Sequence, residues 1–209
     1  MTEKTKKILE LLEKEYPDAH CELNFFTPLQ LLTATVLSAQ TTDRQVNKVT
    51  EKMFKDHPDL DSMLGMSRED IIGYIRSIGF FNSKADHLYL MWRMIKEDFG
   101  GEVPRTMEEL TRLPGVGRKT ANVVMSNAFD IPAIAVDTLV FRVANRLGLA
   151  KAKDVVETEK QLMENIDEAY WSRAHHLLIF HGRYCCNARK PMCEACPVKE
   201  LCQSYSGRE

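Results

Sequence analysis

Leu113-Pro114-Gly115-Val116-Gly117-Arg118-Lys119-Thr120-Ala121 interrupts a helical pattern with a proline and two glycines, and the apolar run Ala121 to Val124 then resumes it. That composition demands tight backbone turns and predicts a short hairpin between two helices. Gly115 and Gly117 flank the apolar Val116, so amides of the turn and of the following helix can face an anion together. Arg118 and Lys119 put two cations in that helix's first turn, where they oppose the helix dipole. A placement with no local benefit suggests a negatively charged ligand, and a phosphate fits. The plain alternative is a bare helix–turn–helix connection.

The chain has 209 residues, enough for a substantial core and one or two domains. Helix formers dominate, Gly and Pro are sparse and period-two alternation is rare, so the expected fold class is all-α. No apolar run approaches the roughly 20 residues of a membrane span, and Met1 to Glu15 is a charged amphipathic pattern without a signal-peptide core. A protein that stays inside the cell is expected. The net charge of −2 does not announce nucleic acid, but its distribution is uneven. Residues 1–70 carry 9 Lys+Arg against 13 Asp+Glu, whereas residues 105–151 carry 7 against 4 and form the only net-positive block. The hairpin lies in that block. A solvated face explains so small an excess equally simply.

In the first helix, Thr5 to Tyr16, Ile8, Leu9, Leu11 and Leu12 share a face, and Pro17 and Asp18 end it. Thr27 and Pro28 form a cap and first-turn pair for a nearly all-apolar, central helix, Leu29 to Leu37. The chain then changes abruptly to Ser38-Ala39-Gln40-Thr41-Thr42-Asp43, an ordinary loop by composition, before a helix from Arg44 to Phe54. Helices over Ser67–Arg76 and Ser83–Phe99 are joined by Ile78-Gly79-Phe80-Phe81-Asn82. Aligning Gly79 with Gly115 brings Phe80 onto Val116 and Ala85 onto Ala121, a weak internal repeat. Burial in the core is the commoner fate of adjacent aromatics; the other reading exposes one as a wedge for a base stack. Arg105–Leu113 and Lys119–Phe129 are the helices of the central hairpin.

Within Ala135-Val136-Asp137-Thr138-Leu139, Asp137 is the only acid and reads as a helix cap, a role compatible with chemistry. A free lysine has a pKa of about 10.4, and attack by its amine needs the neutral form. The helix dipole and Arg118 disfavour a charged Lys119 and Asp137 favours it, so partial desolvation has to tip the balance. After the apolar helix around Ala174 to Phe180, Cys186, Cys193, Cys196 and Cys202 form C-x6-C-x2-C-x5-C. Without a secretory signal, such thiolates favour a metal centre over disulfides, and spacing alone leaves zinc and an iron–sulfur cluster open. Cys21 and Cys185 fall outside the spacing and read as non-ligands; His175, His176 and His181 read as structural.

Together the hairpin, the Ser38–Asp43 segment, Val136-Asp137-Thr138 and the cysteine loop resemble the helix-hairpin-helix superfamily of DNA-repair glycosylases and apurinic/apyrimidinic lyases. The likeness runs from about Glu22 to Cys202. It implies two helical lobes, 21–131 with the hairpin, and 1–20 paired with 132–209 carrying the cysteine loop. The Lys119 and Asp137 positions match a lysine that attacks C1′ of a damaged nucleotide and an aspartate that assists, one from each lobe. Gln40 matches a residue that fills the space of an extruded base, and Phe80 an inserted wedge. Leu113, Gly115, Val116, Gly117 and Arg118 match the phosphate-gripping hairpin, while Arg189 and Lys190 match a loop that touches phosphates. The four cysteines match the ligands of a [4Fe–4S] cluster. The resemblance further implies oxidised pyrimidines in double-stranded DNA as substrate, extrusion of the target nucleotide, a monomer, and a cytoplasmic, nucleoid-associated location. The superfamily usually has histidine where this chain has Leu139. Alternatives are a mismatch glycosylase without lyase activity, a metal-stabilised DNA-structure binder and, distantly, a zinc nucleobase deaminase. Lys119 and the end at Glu209 weigh against the first, because adenine-mismatch relatives usually lack the lysine and carry an extra C-terminal domain.

Overall fold

A computed structural model describes residues 1–206; residues 207–209, which close the second expected lobe, lie outside the described residues. The described chain is all-α, as expected, and contains no strand. Its α-helices are α1 Glu3–Glu15, α2 Pro28–Leu37, α3 Asp43–Asp56, α4 Leu60–Leu64, α5 Arg68–Ile75, α6 Phe81–Asp98, α7 Met107–Arg112, α8 Arg118–Phe129, α9 Thr138–Leu147, α10 Val155–Asn165, α11 Trp171–Tyr184 and α12 Gln203–Ser206. None is long and apolar enough to cross a membrane. Contacts divide the chain into two compact units, Cys21–Ile131 and Met1–His20 with Pro132–Glu209.

In the continuous unit α2 is central because its sequence leaves it no polar face: every residue from Gln30 to Leu37 is buried. Thr27 starts it by accepting the Gln30 amide at 3.2 Å, with Pro28 as first residue. α8 and α6 pack on it. Trp92 of α6 is fully buried and satisfies its indole N–H on Thr33 Oγ1 at 3.1 Å, so the largest side chain of this core leaves no orphan donor. Two short helices begin with capping boxes, Asp59 with Ser62 for α4 and Ser67 with Asp70 for α5. α4 was not expected from the sequence, since five residues are too few to show a period.

The discontinuous unit closes α1 against α11. Ile8, Leu9 and Leu12 enter one core with Val140, Val143, Leu147, Leu162 and Leu178, while Leu11 packs at its edge. Thr2 caps α1 through the Thr5 amide at 3.1 Å, which starts the helix two residues earlier than the hydrophobic pattern indicates. Arg173 of α11 grips the segment that follows α1. It forms a bidentate pair with Glu13 at 2.7 and 2.7 Å and donates to the carbonyls of Tyr16, Pro17 and Ala19. A fork of this kind fixes orientation as well as distance. α9 crosses α11 at Gly182, where a Cβ would stand 2.3 Å from Leu139 Cδ2. Only glycine permits that approach.

Candidate functional site

The central hairpin forms between α7 and α8. Thr106 caps α7, and Leu113, placed before a proline, leaves the helix for extended backbone at φ −71°, ψ 137°. The Val116 amide donates to the Leu113 carbonyl at 3.1 Å and closes the turn around Gly115. Gly115 has φ +77°, and a Cβ there would lie 3.0 Å from His87, so both conformation and space require glycine. Gly117 is the N-cap of α8 and has no side chain to cap with. Arg118 and Lys119 follow in the first turn and are exposed. Leu113 and Val116 are 2 % and 7 % exposed, so their side chains anchor the turn in the core and only their main chain is available to a ligand. Thus a helix N-terminus with two outward cations rests on an apolar footing, an arrangement suited to a phosphate.

Two more loops of this unit carry exposed residues in left-handed backbone. Gln40 has φ 55° and Phe80 φ 57°. Phe80 is 67 % exposed, against the commoner fate of adjacent aromatics, whereas Phe81 is only half-buried and begins α6. The hairpin repeat is therefore one of helix, turn and helix, not of side-chain fate. Val116 turns inward and Phe80 outward, and the left-handed residue shifts from Gly115 to Phe80.

In the other unit Asp137 caps α9, its Oδ1 accepting the amides of Leu139 at 3.0 Å and Val140 at 2.9 Å. The carboxylate is thereby held at a helix N-terminus by two main-chain amides. Leu139 lies against Gly182 and the apolar core, which is how this chain uses the position usually occupied by histidine in the superfamily it resembles.

Cys186, Cys193, Cys196 and Cys202 line one cavity of about 30 Å³, together with Cys185 and His181. Donor atoms of His181, Cys185 and Cys196 lie within 4.8 Å of one another, so two residues outside the sequence spacing stand beside the expected ligands. His181 is fully buried, with its pKa lowered to about 4 by burial, and burial pushes the Cys185 thiol up to about 12. Soft thiols gathered in one partly buried cavity are the donor set of zinc or an iron–sulfur centre. Arg142 and Arg146, one turn apart on α9, brace this loop. Arg146 donates to the carbonyls of Asn187 at 2.8 Å and Ala188 at 3.0 Å, and Arg142 to those of Gly182 at 3.3 Å and Cys186 at 3.2 Å. Sequence reasoning missed both; their i, i+4 spacing after Asp137 was the available signal. Arg189 and Lys190 are exposed on the braced loop. Cys21 belongs to the other unit.

Comparison with known proteins agrees with this geometry. A family model described as HhH-GPD superfamily base excision DNA repair protein matches residues 33–168. The chain is 48 % identical to endonuclease III of Bacillus subtilis over 93 % of this chain and 89 % of that protein. It is also 48 % identical to endonuclease III of Synechocystis, over 97 % and 93 %. Among solved structures, a trapped endonuclease III–DNA covalent intermediate is similar with a TM-score of 0.92 and 46 % identity, covering 100 % of this chain and 99 % of that one. A thermostable thymine-DNA glycosylase is similar with a TM-score of 0.88 at 26 % identity, over 98 % and 97 %.

Proposed function

Since the chain belongs to the HhH-GPD superfamily of base excision DNA repair proteins, we propose that it excises oxidised pyrimidines from duplex DNA and cleaves the resulting site by lyase chemistry on Lys119. It is a base excision repair DNA glycosylase and apurinic/apyrimidinic lyase, and its partner is damaged or abasic double-stranded DNA. The observation that carries the reading is Lys119 itself, exposed in the first turn of a helix that starts from a glycine hairpin.

Lys119 Nζ, as the neutral amine, attacks C1′ of the target nucleotide. The glycosidic bond breaks, and its electron pair leaves with the base, which takes up a proton. The amine loses its proton, with the Asp137 carboxylate assisting, and its lone pair forms the C1′=N bond of a Schiff base on Lys119 as the C1′–O4′ bond breaks and O4′ takes up a proton. Loss of a C2′ proton then expels the 3′ phosphate by β-elimination. Lys119 is exposed in the chain alone, where the DNA that binds the hairpin can cover it. The turn from Leu113 to Gly117 with Arg118 holds a phosphate. Phe80 wedges the base stack and Gln40 fills the space of the extruded nucleotide. Cys186, Cys193, Cys196 and Cys202 would hold a [4Fe–4S] cluster, which would brace the loop from which Arg189 and Lys190 reach phosphates.

Borohydride reduction of the protein on duplex DNA with one abasic site should give a covalent adduct that Lys119→Gln abolishes while sparing much of the binding. Strand cleavage unaltered in Lys119→Gln would overturn the assignment. Tight binding without any wild-type adduct would instead favour a monofunctional glycosylase.

A further inference from the structure

Lys84 is 4 % exposed, an unusual place for an ammonium group. It lies in the first turn of α6, where its amide donates to the Phe80 carbonyl at 3.0 Å. Its side chain reaches back to the loop after α2. Nζ donates to the Leu37 carbonyl at 2.9 Å, the Ala39 carbonyl at 2.6 Å and Thr41 Oγ1 at 3.1 Å. An ammonium has three donors, and all three are used within one loop. Leu37 closes the last turn of α2, whose exposed carbonyls favour a cation. Ala39 and Thr41 are the immediate neighbours of Gln40.

Among the described residues three non-glycine residues have positive φ, and two of them, Gln40 and Phe80, stand at the two ends of this lysine. A left-handed backbone is strained for a residue with a side chain, so each persists only where its surroundings fix it. Burial disfavours the charge of Lys84 and lowers its pKa, the expected consequence of taking an ammonium out of water without a carboxylate partner. A methionine would fill the same space without that cost; what it could not do is donate to the loop.

We propose that Lys84 is a positioning residue that ties the Gln40 loop to the Phe80 turn, so that filler and wedge enter the duplex as one rigid unit. The inference rests on the roles given above to Gln40 and Phe80. Lys84 touches no substrate. It acts through the backbone on either side of Gln40 and through the α6 start that presents Phe80.

The test compares two substrates. One is a duplex with a paired oxidised pyrimidine, which demands extrusion; the other is a single-stranded abasic oligonucleotide, which has neither a partner base to replace nor a duplex to open. Lys84→Met should lose about tenfold in kcat/KM on the duplex, the scale of one or two charge-assisted hydrogen bonds, and less than about twofold on the single strand. 2-Aminopurine placed opposite the lesion should show reduced unstacking to match. In a background carrying both Gln40→Ala and Phe80→Ala, Lys84→Met should cost little further, because it acts through those two residues. Gln40→Ala and Phe80→Ala that leave duplex activity unchanged would defeat the reading of the two loops. If those variants lose it and a folded Lys84→Met does not, the assignment to Lys84 is wrong. Should Lys84→Met lose both activities equally or fail to fold, Thr41→Val decides, since it removes one acceptor from the loop alone. A loss confined to the duplex supports the tie, and no loss or an equal loss on both substrates overturns it.

Discussion

Asp137 is given two tasks that substitution can separate. It caps α9 through two amide bonds of 3.0 and 2.9 Å to one oxygen, and its charge is proposed to assist Lys119. Removing a cap of this type costs about 1–2 kcal/mol, so Asp137→Ala should lose roughly that. Asparagine keeps an acceptor oxygen at the same place and forfeits only the charge–dipole attraction, about 0.5 kcal/mol at a partly exposed site. The two variants should therefore differ by about 1 kcal/mol, or about 2–4 °C in Tm for a chain of this size. In turnover they should not differ. Both lack the carboxylate, and loss of a positioned acid–base group costs on the order of 10²–10⁴-fold. Calorimetry on the three proteins, with single-turnover base release and borohydride trapping, measures both quantities. Near-wild-type turnover in Asp137→Asn would refute the chemical role. Equal destabilisation of the two variants would refute the cap as the source of the stability effect.

Iron and sulfide analysis, with the visible absorption of the purified protein, should give four of each per chain. Cys202→Ser should lose both while Cys185→Ser keeps them, although Cys185 stands in the same cavity. Retention by Cys202→Ser with loss in Cys185→Ser would reassign the ligands. His176 is held neutral, its pKa lowered to about 3 by burial first and then by His175, Arg173 and His20. A base whose folded pKa is depressed contributes stability that is complete above the unfolded value of 6.5 and declines as pH falls from there toward about 3. Between pH 6.5 and 5, unfolding free energy should drop by up to about 1.4 kcal/mol per pH unit, and His176→Gln should flatten that limb in urea titrations. An unchanged slope would show that other groups dominate it.

What the sequence disclosed was what short-range chemistry writes into neighbouring residues. Thr27-Pro28 before α2, Asp137-Thr138 before α9, and the glycines that permit the turn at Gly115 each concern amides one to three residues away. The membership of the cysteine cavity was legible from spacing, but the presence of Cys185 and His181 in it was not, because α11 turns them inward only after packing. The exposure of Phe80 was illegible for a similar reason: two adjacent phenylalanines do not say which faces out, and a left-handed Phe80 decides it. Lys84 gave no local sign at all. The carbonyls that fix it lie 47 and 45 residues earlier in the chain, and among exposed lysines of an amphipathic helix it reads as one more. Helices α4 and α10 also begin at acidic caps, Asp59 and Asp154.

The interrupted path of the second unit has a consequence for synthesis. Helix α1 leaves the ribosome before the rest of its unit, and Arg173, which grips Glu13 and the carbonyls after α1, lies 160 residues further on. At about 5–20 residues per second, roughly ten to thirty seconds separate the two. During that interval Cys21–Ile131 is completed and can collapse around α2, while Ile8, Leu9 and Leu12 wait without the helices that bury them. Helix α1 thus docks only after the intervening unit has been made. A cut or fusion near α1 disturbs the cysteine-bearing body made after it rather than the hairpin body that follows it in sequence.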